Sequence, residues 1–389
     1  MPSTVNQPQN IDNWTHELRL SSSGEDAFNW TIGGFLENRH TDLKSQVLAA
    51  TDDGLERIPF DFIFHRQSFD NLKQKAVFGE VSYDVSEKLI LTAGARYFDY
   101  DKVVEGLTLF GFALVNAPAS PLATVDSGEN GWQLKFHAGY QATDDILIYA
   151  QAGEGFRVGG ANQVIGLSAA LTPYESDSLW NYEMGVKSQW EDGRYTLNVA
   201  GYYIDWSNMQ VAGTTPDGAF GFTSNAGAAT IKGIEMEFTA YPMDGLEISG
   251  GFNYNNAELS EDQVSPVVVA EGKKGDKIPH VSDFSGSLAV QYSWPVGESL
   301  EAFVRGDVSY VGETHSEFSD NNPFYEVEGD YTLMNLRVGV DGDDWGVAVF
   351  VNNVFDKATL TRVSSSAFNT KDTYSVTPRV IGLNVKKKF

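Results

Sequence analysis

The side chains best suited to metal binding or covalent catalysis are few and scattered along the chain. There are no cysteines, so we expect no disulfide framework, no thiol chemistry and no cysteine-based metal site. The six histidines stand at positions 16, 40, 65, 137, 280 and 315, without the spacing that metal-ligand histidines usually show. A Ser/His/Asp triad would have to be assembled from distant segments, and nothing in the sequence marks one. The sequence therefore predicts neither an enzyme nor a bound cofactor.

A glycine-rich stretch, Gly153–Gly160 (G-E-G-F-R-V-G-G), has a spacing related to that of nucleotide-binding loops. It lacks the third glycine at the required position and no helix follows it, so nucleotide binding is not supported. The stretch instead favours a point where a strand passes into a long loop. If that loop binds a ligand, the candidate residues are Arg157, Gly159, Gly160 and Asn162.

Regular alternation of apolar and polar residues predicts the strands that must position these groups. Side chains alternate across a strand with period two, so every second residue shares a face. The last strand, for example, places Ile381, Leu383, Val385 and Phe389 on one side. We count about fifteen such strands. Short turns and long loops alternate between them, and the longest predicted loops cover about 38–72, 103–129, 158–177 and 258–280.

This sorting of connections by length is typical of transmembrane barrels, which have short turns on one rim and long loops on the other. We therefore predict an all-β, antiparallel, up-and-down transmembrane β-barrel in which residues 1–389 form a single, partial barrel domain. The alternative is an extended soluble solenoid, but the fixed repeat that it would require is absent. Aromatic residues near strand ends fit the interfacial girdles of a barrel. They are Trp14, Trp132, Tyr140, Tyr149, Trp190, Tyr195, Trp206, Tyr292, Trp294, Tyr310 and Trp345.

Charge and terminal sequence narrow the function classes. The net charge of −26 argues against a nucleic-acid partner, because phosphate binding needs a basic surface. No stretch of about 18 apolar residues is present, so no transmembrane helix is expected. The first ten residues have neither the charged nor the apolar region of a secretory signal. If the protein is exported, we expect the chain to be a mature form, a fragment or an engineered version.

Several stretches resemble the C-terminal barrel of TonB-dependent outer-membrane receptors, the energised importers of iron complexes, cobalamin and some sugars. Residues 17–22 (E-L-R-L-S-S) and 147–160 match strands of that family, and the other matches follow in the family's order. These are 181–188 (N-Y-E-M-G-V-K-S), 203–206 (Y-I-D-W), 232–237 (K-G-I-E-M-E), 353–356 (N-V-F-D) and the terminal Phe389. The resemblance covers nearly the whole chain.

The resemblance implies a receptor in the outer membrane of a Gram-negative bacterium, in contact with outer-membrane lipid. Its ligand would be a small molecule or metal chelate, by default a siderophore-type iron complex. Its partners would be a plug domain, TonB and the barrel assembly machinery, which would recognise Phe389. The alternative function is a plugless passive pore or a surface-binding barrel.

The sequence departs from the family pattern in three respects. We find no candidate plug, no TonB box and only about fifteen strands, against 22 in the family barrel. An up-and-down barrel needs an even strand number. The chain is therefore the C-terminal part of a receptor, or a plugless barrel, or it contains one strand more, in residues 1–10 or 41–69.

Fourteen charged or titratable side chains fall on the strand face that the pattern assigns to the barrel interior. The simplest interpretation is that they pair across strands, keep the lumen hydrated and contact the plug. Direct ligand contact is the alternative. They are Glu17, Arg19, Arg96, Lys135, His137, Glu183, Lys187, Glu235, Glu237, Glu247, Glu301, Arg305, Asp307 and Arg337.

Overall fold

All regular structure in the computed structural model is β-strand. The structure describes residues 2–24, 26–59, 61–112, 117–164, 167, 172–214, 221–225, 227–263, 271–364 and 372–387. Nowhere in these ranges is there a helix long and apolar enough to cross a membrane. The strands are β1 (Ser3–Asn6), β2 (Gln9–Ser21), β3 (Phe28–Ala49), β4 (Phe62–Ser86), β5 (Leu89–Phe110), β6 (Ser120–Thr143), β7 (Ile146–Arg157), β8 (Gly160–Ala161), β9 (Pro173–Tyr174), β10 (Asp177–Trp190), β11 (Tyr195–Ser207), β12 (Gln210–Thr214), β13 (Gly221–Asn225), β14 (Ala228–Met243), β15 (Leu246–Leu259), β16 (Phe284–Val296), β17 (Leu300–Val311), β18 (Thr314–His315), β19 (Val327–Glu328), β20 (Tyr331–Asp341), β21 (Trp345–Asn352), β22 (Leu360–Ser364), β23 (Asp372–Ser375) and β24 (Val380–Lys387).

Sixteen strands form one antiparallel sheet, in which neighbours in the chain are neighbours in space. β1 and β2 both pair with β3 and together form one interrupted edge, so the sixteen strands occupy fifteen positions. β24 forms the other edge, and the described residues therefore make an open sheet. The predicted all-β antiparallel class is confirmed. The described residues 2–10 contribute only to this first edge and add no further position.

The remaining strands form four small hairpins, β8–β9, β12–β13, β18–β19 and β22–β23, which lie within the longer connections. All of these connections reach the same rim of the sheet, because they alternate with the short turns. The predicted contrast between a short-turn rim and a long-loop rim thus holds for the described residues.

Four neighbouring strands, β3 to β6, are much longer than a membrane span requires. They contain 22 to 25 residues, whereas roughly 9–11 tilted residues cross a bilayer. The predicted long loops at 38–72 and 103–129 are therefore wrong. β3 continues to Ala49 and β4 begins at Phe62, while β5 continues to Phe110 and β6 begins at Ser120. They show no regular apolar alternation, because apolar and polar residues occur on both faces, as in Phe62, Ile63 and Phe64 at the start of β4.

The strand register assigns the two faces of the sheet. Glu183 stands opposite Gln151 on one side and Tyr202 on the other, and Ala200 stands opposite Glu235. When such pairings are followed from β2 to β24, all fourteen charged residues predicted for the interior fall on one face, hereafter the inner face. The prediction of a shared face is confirmed.

The opposite, outer face carries large apolar side chains that are exposed in the isolated chain. Leu18 is 79% exposed and Met184 65%, and Ile381, Leu383 and Val385 near the end of the chain are similar. A row of exposed apolar side chains on every strand is what a lipid-facing surface requires.

A small buried cluster lies where the tall strands meet β7. Its members are Leu72, Ala76, Phe98 and Tyr100, against which Phe35, Phe156 and Val158 pack. The rings of Phe98 and Phe156 stack with their centroids 3.9 Å apart. This cluster fixes the end of β7, and thereby the Gly153–Gly160 stretch, against β4 and β5.

Candidate functional site

The end of β7 is held by an ion pair between half-exposed Arg157 and a buried carboxylate. Asp177, at the start of β10, has a side chain only 1% exposed and accepts hydrogen bonds from the guanidinium of Arg157, including one of 2.9 Å from Nε. The same carboxylate accepts a bond of 2.8 Å from the backbone N–H of Gln210. The Arg157 guanidinium also lies over the Trp206 ring, 4.8 Å from its centroid. Arg157 therefore ties β7, β10 and β12 together.

Two glycines beyond β7 allow the chain to pass close to its neighbours. The backbone N–H of Gly159 donates to the hydroxyl of Tyr100 at 3.1 Å, and a Cβ at Gly159 would lie 2.8 Å from the carbonyl oxygen of Tyr174. A Cβ at Gly160 would lie 2.6 Å from the Tyr174 hydroxyl and 2.8 Å from Nζ of Lys102. Gly159 is thus required by the surrounding backbone, whereas a side chain at Gly160 would displace only the ends of the Tyr174 and Lys102 side chains.

Asn162 connects this segment to a distant hairpin. Its side-chain amide donates to the carbonyl of Thr223 at 2.6 Å and accepts from the Thr223 N–H at 2.7 Å. The amide thereby imitates a strand partner for β13. The three contacts, at Arg157, Gly159 and Asn162, join segments that are 20 to 61 residues apart in the chain.

A cavity of about 1160 Å³ opens beside this segment, where β6 and β7 separate. The register pairs β6 with β7 only as far as Lys135 and Gly153, so the upper part of β6 pairs with β5 alone. The cavity occupies the gap. Six aromatic residues line it, namely Phe98, Tyr100, Trp132, Phe156, Tyr174 and Trp180.

The cavity wall is acidic. Its lining contains Asp126, Glu129, Glu154, Glu175 and Asp177, and among the described lining residues there is no lysine, arginine or histidine. Asp177 is neutralised by Arg157, whereas the other four carboxylates have only neutral partners or none. Glu154, for example, accepts the backbone N–H of Leu134 at 2.7 Å, and Glu175 accepts the Asn208 amide at 3.2 Å.

Unlike the acidic cavity wall, the inner face of the sheet carries positive and negative side chains that pair with each other. Lys135 pairs with Glu80, and Arg19 with Glu17. Arg305 bonds Asp307 at 2.8 Å. Mixed signs at cross-strand distance stabilise a hydrated interior without giving it a strong net field. Within the described residues, no group of three or more His, Cys, Asp or Glu side chains is placed to hold a metal ion.

Comparison with known proteins accounts for this architecture. Residues 2–354 match the family model described as TonB dependent receptor-like, beta-barrel. The chain belongs to the TonB-dependent receptor family.

Two relatives of this chain are also receptors. This chain is 28% identical to the metal-pseudopaline receptor of Pseudomonas aeruginosa over 219 aligned residues. The aligned residues cover 56% of this chain and 28% of that protein. The chain is 23% identical over 358 residues to the pesticin receptor of Yersinia pestis, 91% of this chain and 48% of that protein. The receptor chain thus spans less than half the length of these curated relatives.

Solved structures confirm the fold. The ferric yersiniabactin uptake receptor FyuA from Yersinia pestis superposes with a TM-score of 0.81 at 19% identity, covering 100% of this chain and 56% of that one. The ferripyoverdine receptor of Pseudomonas aeruginosa bound to ferripyoverdine gives 0.68 at 18% identity, covering 100% and 49%. The predicted barrel class and the outer membrane of a Gram-negative bacterium as its location are both confirmed.

The four residues predicted to bind ligand lie together at the long-loop rim, but most of their polar groups are occupied within the receptor. Gly159 lines the cavity, whereas Arg157, Gly160 and Asn162 do not. Ligand binding by these residues stays a prediction. Phe389, predicted as the assembly signal, lies outside the described residues.

The predicted aromatic girdle needs two changes. Nine of its eleven members share the outer face. Tyr149 lies on the inner face, where its hydroxyl donates to Glu183 at 2.7 Å, and Trp206 lies under Arg157. Local sequence does not indicate the main cavity residues, such as Tyr100, Glu129 and Asp177, because only strand pairing brings them together.

Proposed function

We propose that this receptor forms the barrel of an energised importer that takes a scarce metal chelate, by default a siderophore-type iron complex, across the outer membrane. Family membership supports the proposal, together with the cavity at the long-loop rim, which is the rim that such receptors turn outwards. A cavity of about 1160 Å³ is slightly larger than the roughly 300–1,000 Å³ of most small-molecule sites, which suits a bulky chelate.

The relatives bear on the ligand class. One relative is a receptor for metal–pseudopaline, and two structural neighbours are receptors for ferric yersiniabactin and ferripyoverdine. We extend the metal-chelate class to this receptor on that basis. The proposal includes a plug domain that closes the lumen, contacts the paired charges of the inner face and is moved by TonB, and it includes no catalytic step.

Uptake measurements test the proposal. Cells that carry or lack the gene are grown under iron limitation and supplied with radioactive iron as a hydroxamate, a catecholate or a citrate complex. We expect gene-dependent uptake of at least one complex, lost when TonB is inactivated. Gene-dependent uptake that persists without TonB would instead identify a passive pore, and gene-independent uptake of all three complexes would refute an importer of this class.

A further inference from the structure

We infer that the rim cavity selects a chelate that carries positive charge next to a flat apolar portion, and that it disfavours anionic iron complexes. This inference rests on the proposed importer function and specifies its ligand. It combines four properties of the cavity: its size, its aromatic walls, its unbalanced carboxylates and an unsatisfied hydroxyl.

The aromatic walls suit a flat apolar group. Phe98 and Phe156 stack on each other, and Trp180 stacks with Tyr182 at a centroid distance of 5.7 Å. Trp132, which is 63% exposed, stands on the other side of the gap. Aromatic rings attract both apolar planes and cations, so these walls and a positive charge reinforce each other.

The carboxylates of the cavity wall are the reason to expect a positively charged ligand. Of the five in the wall, only Asp177 has a cationic partner. Glu129 accepts the hydroxyl of Ser176, Glu154 a backbone N–H and Glu175 an amide, so all three remain uncompensated. Asp126 is exposed at the cavity edge. The nearby cation Lys102 is paired with Asp70 at 3.1 Å. A ligand in the cavity therefore experiences a net negative field.

The fourth property separates this cavity from a merely acidic surface. Ser224 lines it, is 8% exposed, and its hydroxyl has no hydrogen-bond partner among the described residues. A buried hydroxyl without a partner is unfavourable, because it has lost its contact with water. The hydroxyl oxygen has almost no accessible surface, so a ligand group reaches it only with a small shift of β13.

A charge series of one chelate tests the inference. The probe is a ferric tris-hydroxamate with a free ammonium group, compared with its acetylated neutral form and its succinylated anionic form. Dissociation constants are measured on the full gene product in liposomes, by quenching of tryptophan fluorescence. We expect the cationic form to bind most tightly and the anionic form most weakly, about two- to fivefold apart for each exposed carboxylate it meets. The differences should shrink at about 1 M salt, where screening reaches ~3 Å.

Variants locate the effect. The double substitution Asp126→Asn with Glu129→Gln should weaken binding of the cationic form about five- to tenfold and leave the neutral form within about twofold. Glu298→Gln, at the exposed turn between β16 and β17 on the opposite rim, is the matched control and should change neither. Equal or tighter binding of the anionic form, a ranking unaffected by the double variant, or no binding of any form would overturn the inference.

The two proposals can fail separately. If TonB-dependent uptake is present but anionic chelates are preferred, only the inference about charge is wrong. If no complex is taken up in a gene- and TonB-dependent way, the importer function itself is wrong.

Discussion

Single residues after the end of β7 matter mainly because they let this segment lie in close contact with distant parts of the chain. Gly159 and Gly160 pass so near to Tyr174 and Lys102 that no side chain fits without movement, and Asn162 satisfies both backbone groups of Thr223. Residues 157–162 are also the region that the sequence predicts as a ligand site, from its glycines and its arginine. Its position at a strand-to-loop junction was predictable from local composition. Its partners were not, because Arg157 meets Asp177 and Asn162 meets Thr223 only after long-range strand pairing.

Substitution of Gly159 by alanine tests this closeness. The new Cβ would lie 2.8 Å from a backbone oxygen of Tyr174 and 3.0 Å from the N–H of Ser176, so β9 must shift, at a cost of about 1–3 kcal/mol. We expect faster amide hydrogen exchange at residues 172–178. Gly153→Ala, in the preceding strand β7, is the control, since a Cβ there meets nothing within 4 Å. Equal exchange in both variants would show that the close approach is not needed.

Strand segments differ in how well the local sequence pattern predicts them. Strands within the membrane band were predictable because every second residue must be apolar, as in Ile381, Leu383 and Val385. The extensions of β3 to β6 were not, since residues 38–44 of β3 are mostly polar, and the apolar residues in the extensions of β4 and β5 do not alternate regularly with polar ones. Their strand conformation is imposed by pairing with β4, not by composition.

The connection between β18 and β19 carries a pH-sensitive carboxyl. Burial raises the pKa of Glu317 from 4.5 to about 7. Between these values the folded connection binds more protons than the unfolded one, so its stability is greatest below this range and falls as the pH rises towards 7. In Glu317→Gln this dependence should disappear.

Hydrogen exchange at residues 313–328, corrected for intrinsic rates, measures the effect at pH about 5 and about 8. Burial lowers the pKa of the neighbouring His315, which opposes the trend, but His315 is present in both proteins and cancels in their comparison. A wild-type protein whose protection is as high at pH 8 as in Glu317→Gln would contradict the assignment of the burial effect to Glu317.

The whole receptor is organised by the difference between its two faces. The inner face pairs charges of both signs, and the outer face exposes apolar side chains that only lipid can cover. Period-two alternation alone was enough to assign all fourteen inner-face charges. The pairs that they form, such as Lys135 with Glu80, required the register, which no single strand encodes.

A lysine placed on either face tests the membrane assignment. Met184→Lys puts a charge on the outer face of β10, where a lysine near the bilayer centre costs about 2–4 kcal/mol. Gln151→Lys puts the same charge on the inner face, opposite Glu183, and should be tolerated. Urea unfolding of the full gene product from liposomes gives both free energies. Similar losses for the two variants would contradict the assignment of faces.

The unequal height of the strands has a consequence for the cell surface. β3 to β6 raise one side of the rim well above the rest, and the turn between β3 and β4, at residues 51–55, is fully exposed at its top. On an intact cell this turn stands clear of the lipid headgroups and of the lower loops. It is therefore the place for a short epitope tag that antibodies can label on living bacteria, with the rim cavity left undisturbed below it.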